Sequence, residues 1–196
     1  MKSNIKSTMH LALLSMLVLS EAFAQPMPPR PGPPLSISLF AESISLPTLR
    51  NIQKGGFGLK IGTELYYRNR RNTQVFQGLS LGYYHHPQVQ RGLFLSTGIG
   101  YRRFAGGFFV DALVGGGALL LRPVAPSYTR DETGNYHKAG ATQLKFMPTL
   151  QTGFGYRLPN RTLFFARYEV FGELPFRFIV LPHQSFSVGT QFSFTK

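Results

Sequence analysis

The stretch FSVGTQFSF, from Phe186 to Phe194, alternates apolar residues with small or polar ones. The even-numbered positions hold Phe, Val, Thr, Phe and Phe, whereas the odd-numbered positions hold Ser, Gly, Gln and Ser. Because successive side chains of a β-strand point to opposite faces, this period of two predicts a strand with one apolar face. That face must contact either a packed protein core or the hydrocarbon of a membrane, and the rest of the sequence decides between them.

The same period recurs from Leu35 onward, and eight strands are predicted in all. Gly115 to Gly117 allow a bulge or a change of phase in the fifth strand. The apolar sets that precede the closing stretch are Leu35, Ile37 and Leu39; Phe57, Leu59, Ile61, Leu65 and Tyr67; Val75, Leu79, Leu81 and Tyr83; Leu93, Leu95, Ile99 and Tyr101; Phe108, Val110, Ala112 and Val114; Leu144, Phe146, Leu150, Phe154 and Tyr156; and Phe164, Ala166, Tyr168 and Val170.

The connections between the predicted strands alternate in length. Those after strands two, four and six are short, near 68–72, 103–107 and 158–161, whereas those after strands one, three, five and seven are longer or irregular. The longest runs from Arg122 to Gly140 and contains the charged stretch YTRDETGNYHKAG, a candidate recognition loop or an idle mobile one. Short turns at one rim and long loops at the other are typical of an up-and-down barrel.

The distribution of charge indicates which face of the barrel is outside. In the seven strands with the clearest phase, the central part of the apolar face has no Lys, Arg, Asp or Glu, and the other face is mostly Gly, Ser, Thr and Gln. A water-facing surface would be dense in charges, whereas small polar residues suit the narrow interior of an eight-stranded barrel. The charged residues expected to pair inside are Lys60, Lys145 and Arg167 with Glu64, Asp111 and Glu169.

Aromatic residues at the strand ends support the same orientation, since rings favour the membrane interface and strands of about ten residues cross the hydrocarbon when tilted. The predicted fold class is therefore all-β: an eight-stranded antiparallel up-and-down transmembrane β-barrel whose apolar face contacts lipid. The ring residues are Tyr67, Tyr101, Tyr156 and Phe194 at the short turns, and Phe57, Tyr83 and Phe186 at the long loops.

The N-terminal residues form two segments outside the barrel, which spans 35–196. Residues 1–24 combine two lysines, the apolar stretch Leu11 to Leu19 and an A-x-A site, which predicts a signal peptide. Residues 25–34 contain six prolines and are interpreted as a stiff periplasmic spacer. The chain has no cysteine, and its formal net charge is +13. Without a basic helix or a recognisable nucleic-acid module, nucleic-acid binding is not expected.

From Leu35 to Lys196 the chain resembles the small outer-membrane β-barrel family of Gram-negative bacteria. The closing strand resembles the C-terminal signal that barrel-insertion machinery reads, although Thr195 and Lys196 follow the aromatic Phe194. The predicted signal peptide implies export through the general secretory pathway. The resemblance implies an outer-membrane location and contact with outer-membrane lipid and lipopolysaccharide. It also implies periplasmic termini and short turns, with long loops outside the cell. A monomer without cofactors is expected, and the fold does not imply one activity.

The candidate chemical groups lie at the predicted long-loop rim. We interpret them as polar residues at the loop ends, because their spacing matches no recognised metal motif and no metal is expected. His183-Gln184-Ser185 resembles the H-x-S element of outer-membrane lipid A deacylases. The strand phase, however, directs His183 and Ser185 into the barrel. The candidates are His85, His86 and His183, which end strand three or open strand eight, together with Ser185, Glu169 and Glu173.

Seven arginines are assigned to the short-turn rim. Two interpretations stay open, contact with anionic headgroups and docking to an acidic periplasmic partner. The residues are Arg68, Arg70, Arg71, Arg102, Arg103, Arg157 and Arg161.

Three functions are compatible with the sequence. The favoured one is a non-enzymatic barrel with a filled, non-channel interior that has a structural or interaction role through its outer loops. The alternative is a membrane-embedded lipid-modifying enzyme, similar to a lipid A deacylase, at the extracellular rim. A soluble ligand-binding barrel is the third, and it requires the apolar faces to point inward.

Overall fold

The computed structural model describes residues 33–44, 55–87, 89–124, 128–130, 134–138, 142–176 and 179–193. The expected signal peptide, most of the proline-rich spacer and Phe194 lie outside these residues. Among the described residues, no helix is long and apolar enough to cross a membrane.

Eight antiparallel strands close into a barrel in the order β1-β10-β9-β8-β5-β4-β3-β2, with a separate two-stranded sheet of β6 and β7. The predicted all-β, eight-stranded up-and-down barrel is therefore confirmed. The strands are β1 (Leu35–Ser43), β2 (Gly56–Asn69), β3 (Thr73–His85), β4 (Gln90–Ala105), β5 (Phe108–Pro123), β6 (Tyr128–Arg130), β7 (Tyr136–Lys138), β8 (Gln143–Arg157), β9 (Leu163–Phe176) and β10 (Ile179–Phe192).

The apolar faces point outward along the barrel strands. Leu39, Val114 and Leu150 are each more than 60% exposed, whereas the residues that alternate with them are buried or half-buried. Several threonine hydroxyls on this outer face are bonded to backbone carbonyls. For example, Thr63 donates to the carbonyl of Pro34 at 2.7 Å, and Thr97 donates to that of Gly78 at 3.0 Å. These bonds lower the cost of placing a hydroxyl against hydrocarbon.

Large side chains fill the barrel interior, where glycines on neighbouring strands leave space for their rings. A Cβ at Gly82 would lie 2.2 Å from the ring of Phe94, and a Cβ at Gly100 would lie 2.4 Å from that of Phe76. One apolar cluster lies near the short turns (Phe104, Phe109, Leu163 and Phe165), and another lies towards the long loops (Phe40, Tyr84, Phe94, Leu119, Leu121, Met147 and Phe171).

The two ends of the barrel differ, as the connection lengths predict. The short-turn rim is the end with connections 70–72, 106–107 and 158–162, and the long-loop rim is the opposite end. The aromatic residues expected at the two rims are outward and exposed wherever the structure describes them, and Phe194 lies outside the described residues. The connection between β5 and β8 is the longest and contains the β6–β7 hairpin, which the sequence did not predict.

Two connections at the long-loop rim are shorter than predicted. The third strand is followed by four residues, 86–89, and only two residues, 177 and 178, separate the end of β9 from the start of β10. Pro175 and Pro182 lie within these two paired strands, with a register irregularity between Ile179 and Leu181. The hydrogen-bonded pairing of β10 with β9 continues on both sides of Pro182. The β4–β5 register, by contrast, passes through the three glycines without a shift.

Candidate functional site

His183 lies inside the barrel, four residues after the start of β10, rather than at the opening of that strand as predicted. Its imidazole is fully buried and stacks on Phe171, with ring centroids 4.6 Å apart. Nδ1 lies 2.7 Å from Oε1 of Glu42, and Nε2 lies 3.6 Å from Oε2 of Glu173. The ring is therefore held between two buried carboxylates, one from β1 and one from β9.

Lys145 extends this group of ionisable side chains, which we call the upper cluster: Glu42, Lys145, Glu173 and His183. The Lys145 ammonium lies 3.8 Å from Oε1 of Glu173. With a neutral imidazole the cluster has one positive and two negative charges, and a proton on His183 would balance them. The arrangement orients and neutralises charges inside the barrel, and the members come from four different strands.

Ser185 and Glu169 also point into the barrel, but they do not join His183 in a catalytic arrangement. Ser185 is buried two positions along the same strand face as His183. Glu169 forms an ion pair with Lys60, whose ammonium also lies 5.6 Å from the centres of the Phe40 and Phe94 rings. A nucleophile, its base and an open position for substrate are not brought together at this point.

The two histidines at the end of β3 lie at the long-loop rim, as the sequence predicts. His85 is half-buried and packs edge-on against Phe57, with centroids 6.3 Å apart. His86 is buried, and its Nδ1 has no hydrogen-bond partner. Among the residues that the structure describes, no group of three or more His, Cys, Asp or Glu side chains could hold a metal ion.

The largest ionic network of the described interior is centred on Arg102, which the sequence predicts at the short-turn rim. Its guanidinium has no exposed surface and contacts Glu64 at 2.7 Å and Asp111 at 2.9 Å. Arg167 reaches the same carboxylates, at 3.5 Å from Glu64 and 2.9 Å from Asp111. These four residues, two cations and two anions, form the ionic tetrad. Gln74 is a further acceptor for Arg102, at 3.2 Å.

Aromatic rings enclose the tetrad. The Arg102 guanidinium carbon lies 4.7 Å from the centre of the Phe76 ring and 4.9 Å from that of Phe109, so it is held between two ring faces. The Arg167 guanidinium lies 4.2 Å from the Phe165 ring. The network therefore seals the interior with charges that are paired and shielded from water.

The charged residues inside the barrel pair only in part as the sequence predicts. Arg167 pairs with Glu64 and Asp111, two of its predicted partners. Lys145 instead pairs with Glu173, which is not one of the acidic residues predicted as its partners. Arg102 was wrongly assigned to the short-turn rim. Its phase, shared with Ser96, Gly98 and Gly100, was the available signal that it points inward.

The described part of the interior contains a small polar cavity of about 50 Å³. Its lining includes Ser36, Ser80, Lys60 and Glu169. This volume holds a few water molecules but no metabolite. The described interior thus offers ionic and hydrogen-bonding groups for stability, without a substrate-sized space.

Replacing His183 by alanine is expected to lower the free energy of unfolding by about 1–3 kcal/mol, because Glu42 would be buried without its partner. Denaturant unfolding of the barrel in lipid, followed by circular dichroism, would measure this loss. The matched control is His85→Ala at the half-buried rim position, which should change stability by about 0.5 kcal/mol or less. Equal losses in the two variants would contradict a special role for the buried histidine.

The chain matches no protein-family model and no curated protein sequence. Its fold is similar to that of Neisserial surface protein A, with a TM-score of 0.53 and 14% identity over 85% of this chain and 100% of the other. Ail, the attachment invasion locus protein of Yersinia pestis, gives a TM-score of 0.52 and 12% identity, covering 83% of this chain and 97% of that one. The outer membrane enzyme PagL gives a TM-score of 0.50 and 10% identity, covering 82% of this chain and 99% of that one. At these identities the similarity concerns the fold, which an enzyme shares with surface proteins.

Proposed function

Since this chain has the fold of the small eight-stranded outer-membrane β-barrels, we propose that it spans the bacterial outer membrane as a closed, non-conducting barrel with a structural or interaction role at its long-loop rim. We also propose that it is exported through the general secretory pathway and inserted as a monomer by the barrel-insertion machinery. The outward alternation of Phe186, Val188 and Phe192 on β10 supports recognition by that machinery.

The filled interior is the observation that carries this proposal. Arg102 has no exposed surface, and the ionic tetrad with its rings occupies the width of the barrel. An aromatic and aliphatic cluster lies on each side of it, and the cavity of about 50 Å³ is too small for a conducting path. Eight strands leave an interior that side chains alone can fill.

The closed interior predicts that the protein does not conduct ions. Purified barrel inserted into planar bilayers should give no single-channel steps above background, whereas a sixteen-stranded porin in the same bilayers should give large ones. Insertion is verified by the protease resistance of the recovered barrel. Reproducible conductance from the verified barrel would contradict the non-channel function.

The long-loop rim is the candidate interaction surface because it carries the longest connection and the β6–β7 hairpin. Connecting loops held on a rigid sheet are common binding surfaces. In the proposed orientation this rim faces the outside of the cell, and the short-turn rim faces the periplasm.

Cysteine labelling tests that orientation, since the chain has no native cysteine. We expect Asn135→Cys, between β6 and β7, to react with a membrane-impermeant maleimide on intact cells. Arg70→Cys, in the exposed turn between β2 and β3, should react only after the outer membrane is permeabilised. Labelling of Arg70→Cys alone on intact cells would mean that the barrel is inserted in the opposite direction.

The alternative of a lipid-modifying enzyme is not supported by the position of its candidate residues. Such an enzyme needs its nucleophile and base on the lipid-facing side, where acyl chains lie, whereas His183 and Ser185 are buried inside the barrel. The similarity to an outer membrane enzyme extends to the fold and does not favour this alternative.

A further inference from the structure

The outer edge of the short-turn rim carries a group of arginines that the ionic network of the interior does not use. Arg68, Arg70 and Arg71 lie at the turn between β2 and β3 and are exposed, and Arg103 is half-exposed near the end of β4. We call these four residues the rim arginine patch. Arg103 pairs across the sheet with Thr73, the first residue of β3, so the patch is continuous over strands β2 to β4.

A β-bulge determines the direction of Arg68. The β2–β3 register shifts between Tyr66 and Arg68, so that Tyr66 pairs with the inward Phe76 while Arg68 pairs with Val75 on the outer face. Without the extra residue, strict alternation would direct Arg68 into the barrel. The bulge therefore places Tyr67 and Arg68 together on the outside, with Tyr67 67% exposed.

No described carboxylate balances the patch. The acidic residues nearest this end along the strands are Glu64 and Asp111, and both point inward to Arg102 and Arg167. The four guanidinium groups of the patch make no ion pair with any residue that the structure describes. The patch is thus a concentration of positive charge without an anionic partner among the residues that the structure describes.

The position of the patch selects the kind of counter-ion. Tyr67 and Tyr101 are exposed on the outer face of β2 and β4, at the height where aromatic rings contact the membrane interface. Guanidinium groups just beyond such rings lie at the level of lipid phosphates. The planar fork of arginine binds phosphate oxygens through two parallel hydrogen bonds, which a compact ammonium does not reproduce.

We propose that the rim arginine patch binds the phosphate headgroup of an anionic phospholipid in the leaflet around the short-turn rim. Arg68 and Arg103 approach this headgroup from the outer face of the barrel, and Arg70 and Arg71 approach it from the turn. Binding would fix the depth of this rim at the interface. The proposal depends on the membrane-spanning fold and not on any role of the long loops.

The chain offers a matched control on the opposite rim. Arg91 and Arg122 pair with each other across β4 and β5, and both are exposed at the long-loop rim. Replacing them removes the same two charges from the same kind of side chain, but at the other end of the barrel.

The experiment measures lipid retention by the full chain folded in uncharged detergent micelles, with phosphatidylglycerol or phosphatidylcholine added and bound lipids counted by native mass spectrometry. We expect the wild type to retain phosphatidylglycerol in preference to phosphatidylcholine. The variant Arg68→Gln/Arg103→Gln should lose about ten- to thirty-fold in apparent affinity for phosphatidylglycerol. Arg91→Gln/Arg122→Gln should keep the wild-type affinity.

Two further measurements test which chemical group of the lipid is bound and which property of arginine binds it. The variant Arg68→Lys/Arg103→Lys should bind more weakly than the wild type, because it keeps the charge and loses the fork. Inorganic phosphate at equal concentration should not displace the lipid, and displacement would mean a site for free phosphate instead. Circular dichroism verifies that each variant is folded. An unchanged affinity in the Arg68/Arg103 glutamine variant, or an equal loss in the Arg91/Arg122 control, would overturn the proposal.

Discussion

Replacing Arg102 by methionine is expected to lower the free energy of unfolding by about 3–5 kcal/mol. The loss arises because Glu64 and Asp111 would stay buried with Arg167 as their only cationic partner. The guanidinium would also leave the space between the Phe76 and Phe109 rings. Equilibrium unfolding in lipid vesicles, with denaturant and detection by circular dichroism, measures the change.

The neighbouring residue provides the control for this prediction. Arg103→Met removes the same side chain one position along β4, at the half-exposed rim. In vesicles of phosphatidylcholine, which lack an anionic headgroup for the rim arginine patch, it should change stability by about 0.5 kcal/mol or less. A second variant tests whether unpaired charge is the cause. Removing a carboxylate as well, in Arg102→Met/Asp111→Asn, should recover part of the loss, since fewer buried charges lack a partner. Equal effects of Arg102→Met and Arg103→Met would contradict the ionic tetrad.

Strand phase was predictable from the sequence because each strand has two chemically different solvents. Hydrocarbon selects Leu, Val and Phe on one side, and the narrow interior selects small or polar residues on the other, so the period of two persists through the central part of each barrel strand. Even the glycines 115–117, which allow a phase change, leave the β4–β5 register intact. Pairing with two neighbours fixes the register of such a strand.

Strand ends were less predictable, because local residue preferences compete there with pairing. The prolines 175 and 182 favour a loop on local grounds, yet β9 and β10 extend past them and place His183 inside the barrel. The β6–β7 hairpin has three residues per strand and no clear alternation, which leaves too short a pattern to recognise.

The partners of buried charges could be predicted only in part. The sequence identifies which charged residues point inward, but the tetrad joins β2, β4, β5 and β9, and their distances depend on the stagger of the closed barrel. Arg102 shows the limit most clearly. An arginine near a strand end is the residue type expected of a rim anchor. Only the phase of the strand shows that Arg102 points into the barrel instead. Arg68 points outward because of the β-bulge after Tyr66. The alternation of residues in the sequence does not show where such a bulge lies.

A charge placed at the middle of the outer face should be expensive if hydrocarbon surrounds the barrel. Leu150 is the central residue of β8, is 61% exposed, and pairs with Val114, which is 63% exposed. We expect Leu150→Arg to lower the free energy of unfolding in lipid vesicles by about 2–4 kcal/mol, the cost of an arginine near the bilayer midplane. Unfolding in denaturant, detected by circular dichroism, gives the value.

The comparison that isolates depth uses Leu144, which lies on the same face of β8, near its long-loop end, and is 69% exposed. Leu144→Arg should cost only about 0–1 kcal/mol, because an arginine near the interface reaches water and headgroups. The two substitutions introduce the same side chain on one strand and differ in depth alone. If water bathed this face, neither arginine would be destabilising and the two variants would behave alike. A difference of several-fold between them requires a medium whose polarity changes along the strand, and a bilayer is such a medium.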